Sequence, residues 1–446
     1  MATSTTTNRG ITSSQLAEWR AAFHEEPLRE VIANAIIKNG VQAVAQRRQR
    51  VTEMTYAFSH EIQTGAITNQ KQSGRCWLFA GLNVMRKPMA ERFHVKDFEL
   101  SQAYLMFYDK LEKAHYFLES IIHTIDQPIE GRLVSWLLSA PLQDGGQWDM
   151  FVNLVEKYGV VPKGVMPESF HSSNSRAMNQ LLTAKLREDA AHLRVMGGSE
   201  ASLREAKDRM VGEIYSLLVQ FLGEPPQAFT FEYQDDDHVF HREGSLTPQE
   251  FHARFNSVDL NQYVSVINAP TSDKPFYQTY TVDYLGNVSG GRPVLYLNLP
   301  IEEFKALAKQ QLVDGEPVWF GCDVGKMSDR ETGLLDVGQY AYDTALGVEF
   351  SLSKGDRLLY GESLMTHAMV LTGVNLVDGT PNRWKVENSW GPDAGRQGFF
   401  AMSDAWFDEY MYQVVVQKTY LSESQQQALH TSPTHLPPWD PMGSLA

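Results

Sequence analysis

The chain has 446 residues, 43% hydrophobic and 21% charged, values of a globular protein with enough apolar side chains to fill a large core. Its formal net charge of −15 argues against a protein whose main task is gripping phosphate backbones, which takes clustered Lys and Arg, so nucleic acid is not an expected partner. Two cysteines, Cys76 and Cys322, cannot build a disulfide framework, and no stretch approaches the length of an uncharged membrane span, so free thiols and no membrane insertion are expected.

At roughly 150 residues per domain the length predicts about three units. The N-terminus, MATSTTTNRGITSSQ, is polar and lacks an apolar core, so no secretory signal is expected and a cytoplasmic location follows. Residues 1 to 10 read as disordered. Ser13 or Ser14 is placed to cap a helix starting near Gln15, and Pro27 interrupts it. A second helical stretch carries Leu28, Val31, Ile32, Ile36, Ile37 and Val41 near helical spacing and breaks at Asn39-Gly40. The basic run at 47–50 reads as a solvated helix end.

After Cys76 the run WLFAGLNVMRK is apolar on most faces and predicts a buried helix, which Pro88 should kink or end. Residues 99–125 predict a long helix with Ser101 near its start. Residues 145–162 predict a turn, a helix and a stop at Gly159. The stretch 171–223 is helical and charged. From 227 onward the pattern shifts to short β-rich runs at 228–234, 263–269, 293–299, 317–324, 367–377, 383–390 and 398–403, with one helix at 301–314. Helices first and strands later define the α+β class. YQDDDHVFHR at 233–242 reads as a solvated hairpin turn, and the sequon at Asn287 as a bystander in a chain with no export route. Zinc, nucleotide and dinucleotide motifs are missing, so no metal and no cofactor are expected. The tail LHTSPTHLPPWDPMGSLA reads as extended.

The stretch NQKQSGRCWLFA carries the sharpest chemical signal. A small-residue turn delivers Cys76 to the mouth of an apolar helix, where the helix dipole favours a thiolate. A buried structural thiol is the alternative reading. His367 opens a β-rich run, and Asn388 follows 21 residues later in VENSWG. Two adjacent strands could bring them together, with the Asn oxygen fixing the ring and Trp390 covering the bond. An oxyanion needs a side-chain donor near the cysteine, and both Gln70 and Gln72 qualify.

These three blocks, in this order, resemble the papain-like cysteine peptidases. The resemblance implies Cys76 as nucleophile, His367 as base and acid, Asn388 as orienting residue and Gln70, six before the cysteine, as oxyanion donor. It implies a two-lobed papain-like fold and a Gly145-Gly146 turn that pairs with substrate backbone. Ser73 stands where many secreted relatives carry a further cysteine. The implied organisation is an N-terminal helical extension (1–60), a helical lobe (61–170), a helical insertion (171–226), a β-rich lobe (227–430) and a C-terminal arm (431–446). The ending PWDPMGSLA is similar to that of the bleomycin hydrolase and aminopeptidase C subfamily. That similarity implies a homohexameric ring, peptide substrates with a free N-terminus, and an Ala446 carboxylate that pairs with the substrate ammonium. An endopeptidase, or a non-catalytic ring binding peptide or nucleic acid, are the rival readings.

Overall fold

The computed structural model describes residues 10–445; the expectations on residues 1–9 and on Ala446 lie outside the described residues. Two compact units result. The first combines the N-terminal residues through Glu53 with Gly338–Ser351. Its helices are Ser13–His24, Pro27–Asn39, Val41–Ala45, Arg48–Glu53 and Tyr342–Leu346. Thr12, rather than Ser13 or Ser14, caps the first: its hydroxyl accepts from the Gln15 N–H, and the Gln15 side chain accepts from the Thr12 N–H at 2.9 Å. Pro27 opens the second helix at a position where a missing N–H costs nothing. Gly40, at φ 82°, ends the helix where Asn39-Gly40 predicted. The Ala341 N–H donates to the Ala45 carbonyl at 2.8 Å and joins the two segments.

The second unit holds residues 54–337 and 352–446. Its helical lobe is built on Cys76–Phe93, Gln102–His123 and Trp148–Tyr158. The Cys76 helix is buried from Cys76 through Arg86, as its apolar run predicts, and Gly81 lets the Phe151 ring approach to where a Cβ would lie 2.8 Å away. It does not end at Pro88. It runs to Phe93, whose ring packs against Phe98, Phe231 and Phe255 at 5.0–5.3 Å. Burial of that aromatic turn outweighs the proline penalty of about 3 kcal/mol. Ser101 caps the next long helix by accepting from the Tyr104 N–H at 3.1 Å. The charged stretch after residue 170 forms Phe170–Ser173, Arg176–Met196 and Glu200–Leu222.

The β-rich lobe places Tyr263–Ile267, Met411–Gln417, Val318–Cys322, His367–Val377, Thr380–Glu387 and Phe399–Ser403 side by side, each antiparallel to the next. Alternation divides these strands between two cores. Trp319, Ala368 and Val370 join the helical side with Trp77 and Trp148. Val318, Phe320, Met369 and Leu371 face the other way, towards Trp384, Trp406 and Phe407. Met411–Gln417 is not among the expected strands, because it leaves the Asp404–Tyr410 helix with no turn residue between. The Arg86 guanidinium and Glu387 carboxylate, both buried, meet at 2.9 Å and tie the Cys76 helix to the strand that ends just before Asn388. The expected hairpin turn at 233–242 joins Phe229–Gln234 to Phe240–Leu246, and its Asp235 pairs with His241 at 2.8 Å. Asn287 is fully buried and donates to Met150, out of reach of a glycan.

Candidate active site

The loop before Cys76 is fixed by a chain of buried polar contacts. The Gln70 N–H donates to the Ser389 carbonyl at 2.8 Å, and the Gln70 side-chain amide donates to the Ser73 carbonyl at 2.7 Å. The Ser73 hydroxyl returns a bond to the Gln70 carbonyl at 2.7 Å and accepts from Arg75 Nε at 2.9 Å. Arg75 then forks onto Glu168 at 2.9 and 3.2 Å. Gln70 is buried beside the nucleophile, whereas Gln72 is exposed and its backbone binds Ser173 and Ser175. Of the two candidate donors, Gln70 is the buried one, with its side-chain amide turned onto the Ser73 carbonyl.

Cys76 is the first residue of its helix, and no side chain caps that end. Its sulfur is buried, and the backbone N–H groups of Ala368, Trp77 and Cys76 itself favour its charged form. The His367 Nε2 lies 2.9 Å from Asn388 Oδ1. That oxygen can only accept, so Nε2 carries the proton and Nδ1 is left free as an acceptor. Asn388 Oδ1 also accepts from the Ser389 N–H at 2.8 Å, which fixes the amide. The Trp390 ring lies 4.9 Å from the imidazole and Arg330 lies 5.0 Å from the same indole.

Burial acts on both reacting groups. It pushes the Cys76 thiol up to about 11, against the pull of its N–H donors. It pushes His367 down to about 4, against the support of Asn388. Burial therefore disfavours either charge on its own. In a Cys76→Ser chain, only the imidazole titrates. Its folded value lies below the unfolded 6.5, so the folded state binds fewer protons between the two. The stability this neutral ring contributes is complete above pH 6.5 and falls away as pH drops towards 4, by roughly 3 kcal/mol in all. Urea unfolding of Cys76→Ser at stepped pH, with and without His367→Gln, checks this: the double variant should lose that part of the slope.

Asp144, Gly145 and Gly146 form the opposite wall. The Asp144 carboxylate accepts from the Gly74 N–H at 2.9 Å, Asn179 at 2.8 Å, and Lys110 and Ser175 at 2.5 Å each. Burial would raise this carboxyl, but the Lys110 ammonium beside it prevails and, with Ser175 and Gly74, holds it well below the usual carboxylate range. Lys113, fully buried and paired with Asp109 at 2.7 Å, donates to the Gly145 carbonyl at 2.6 Å. Gly146 lies flat on the Trp77 indole, where a Cβ would come within 2.5 Å. The turn is thus held between the Cys76 helix, through Trp77, and the Gln102–His123 helix, through Lys113.

A cavity of about 760 Å³ opens beside this turn, lined by Gln143, Phe117, Trp136, Leu285 and Met365. Ser444 and Leu445 of the C-terminal arm also line it. The arm is anchored rather than loose: Thr434–Leu436 forms a parallel strand with Tyr280–Val282, and Lys274 pairs with Asp440 at 2.8 Å. Asp144, Arg75, Glu168 and Lys113 are not among the residues the sequence singles out. The charges Asp109, Lys110 and Lys113 inside an apolar helix, and the acid before Gly145-Gly146, were the available signal.

A thiol at a helix mouth, an imidazole held by an amide oxygen and a two-lobed α+β frame define a cysteine peptidase of the papain-like class. The sequence model of the Peptidase C1-like family matches residues 10–443, and the chain belongs to that family. It is 49% identical to aminopeptidase C of Listeria monocytogenes over 98% of this chain and 99% of that protein. Aminopeptidase C of Lactobacillus delbrueckii subsp. lactis is 46% identical over 98% and 99%. The crystal structure of PepW from Lactobacillus rhamnosis HN001 superposes with a TM-score of 0.96 at 51% identity, covering 98% of this chain and all of that one.

Proposed function

We propose that this chain is a cysteine aminopeptidase that removes residues from the free N-terminus of peptides. The observation that carries the reading is the arm: Ser444 and Leu445 line the same cavity as Gln143 and Thr366, the sequence neighbours of Asp144 and His367. A chain end held there leaves room for little substrate before the scissile bond and offers the Ala446 carboxylate to an ammonium group. The Cys76 thiolate attacks the first peptide carbonyl. The oxyanion is received by the Gln70 amide and the Cys76 N–H. His367 protonates the leaving amine and then activates the water that releases the acyl-enzyme, while Asn388 holds the ring and Trp390 shields it. Gly145 and Gly146 pair with the substrate backbone.

One reporter dipeptide and its N-acetylated twin test this. The free form should be cleaved at least about tenfold faster, because acetylation removes the charge that the arm recognises. Equal rates would leave the thiol chemistry and remove the gating arm, making the chain an endopeptidase. The chemistry needs a reduced thiol, which suits a cytoplasmic setting. The homohexamer is supported by exposed Leu16, Trp19, Phe23, Leu28, Val31 and Ile37 on the first two helices, side chains that a partner surface would cover. Analytical ultracentrifugation reads the assembly.

A further inference from the structure

Gln147 stands at the cap position of the Trp148–Tyr158 helix, yet makes no capping bond. Helix caps favour short side chains whose oxygen turns back onto the first N–H groups. This glutamine is fully buried, and its side-chain amide reaches the other way, donating to the Ser444 carbonyl at 2.7 Å. A carbonyl can only accept, so Nε2 faces the arm and Oε1 faces away from that bond. Oε1 and the Ser444 hydroxyl are both buried without a partner among the described residues. Local structure has been given up for one long-range contact, the kind of departure that marks a functional position.

The contact joins two parts of the proposed mechanism. Gln147 directly follows Gly145-Gly146, the turn clamped onto Trp77 and Lys113. Ser444 lies two residues before the chain end. The other anchors hold the arm further back: Lys274 on Asp440, Arg132 over the Trp439 ring at 3.8 Å, and Tyr296 on the Met442 carbonyl at 3.2 Å. They fix where the arm enters the cleft. Beyond them, the Ser444 N–H turns back to the Pro441 carbonyl at 3.3 Å and Leu445 packs on the core, while Gln147 supplies the bond that joins the arm to the Gly145-Gly146 turn.

We propose that Gln147 is a positioning residue that latches the C-terminal arm at Ser444 and so sets the distance from the chain end to Cys76, making the cleft selective for a free N-terminus. This rests on the arm acting as the gate. Released from the latch, the arm swings on its upstream anchors, its end no longer meets the substrate ammonium at a fixed place, and blocked or longer substrates enter.

The test uses the full-length protein, Gln147→Ala, Gln147→Met and a chain lacking Leu445 and Ala446, each assayed on the free dipeptide and its N-acetylated twin. The expected result for both Gln147 variants is a loss on the free substrate carried by KM and a gain on the acetylated one, shifting the selectivity ratio by at least about tenfold towards that of the shortened chain. Alkylation of Cys76 should keep its wild-type rate, which separates a displaced arm from a damaged site. If wild type already cleaves both substrates alike, the gating reading fails and this inference with it. If the shortened chain gains on the acetylated substrate while both Gln147 variants keep wild-type selectivity, the gate stands and the latch is overturned. Should Gln147→Ala not fold, Gln147→Met, similar in length and apolar, decides between these outcomes, supported by hydrogen exchange: faster exchange at 440–445 is expected, and unchanged exchange overturns the proposal.

Discussion

Replacing Cys76 by serine is expected to lower kcat on a free dipeptide by at least about four orders of magnitude while leaving the fold intact. The Cys76 side chain is buried at the start of its helix, and the smaller hydroxyl fits the same space. The change is in acidity. Even with a thiol that burial pushes up to about 11, proton transfer to His367 is within reach once the N–H groups and the imidazolium receive the charges together. A serine hydroxyl ionises several units higher, and neither the Gln70 amide nor Asn388 offsets that gap. Cys322 is the comparison. It pairs in register with His367, but its side chain faces the inner core of the β-rich lobe, and burial keeps it protonated well above the ordinary range. Cys322→Ala should keep activity within about threefold, with only the stability loss of a small core truncation. Steady-state kinetics on both variants, with iodoacetamide labelling to count reactive thiols, checks the assignment. Residual turnover in Cys76→Ser near the Cys322→Ala level would move the nucleophile elsewhere.

The order of the chemistry was legible because it is carried by local signals. A small-residue turn before an apolar helix, a histidine at the head of a β-rich run and an Asn-Ser-Trp after the next are each readable within a dozen residues. Cys76 opens its helix and His367 meets Asn388 where those signals place them, whereas local signals left Gln70 and Gln72 open and only the family resemblance chose between them. What holds them was not legible. Asp144 meets Gly74 across 70 residues and Arg75 meets Glu168 across 93, and nothing local to either partner announces the other. Pro88 shows the same limit in reverse, since its helix survives on contacts made by Phe93 to rings more than a hundred residues later. The arm's parallel strand at Thr434–Leu436 was hidden by a composition of Pro, Ser and Thr that reads only as extended.

Asp144→Ala is expected to destabilise the protein by about 3–5 kcal/mol and to lower kcat/KM beyond what the lost stability explains. The carboxylate is mostly buried and its partner Lys110 is almost completely so, at 11% and 1% side-chain exposure. Removing the acid leaves an ammonium in the interior with the Gln143 carbonyl as its remaining acceptor, and strips the Gly74 N–H, Ser175 and Asn179 of a shared partner. The energetic cost lies in that abandoned charge rather than in the pair itself, so Lys110→Met with Asp144→Ala should recover a large part of the loss. The catalytic cost has a different origin. The Gly74 N–H bond ties the nucleophile's loop to the wall that carries Gly145 and Gly146, and the Trp77 indole N–H reinforces it by donating to the Asp144 carbonyl at 2.8 Å. Without the carboxylate the loop can drift from the wall, and a shift of a fraction of an ångström separates Gln70 from the oxyanion it would receive. Asp144→Asn separates the two effects: it keeps an acceptor for Gly74 and Ser175 and loses the charge with the oxygen that serves Lys110 and Asn179. Urea unfolding and kcat/KM measured on the three variants should show stability recovered by the double variant and activity recovered better by Asn. If the double variant regains full activity along with stability, the clamp between loop and wall has no catalytic role, and Asp144 serves the fold alone.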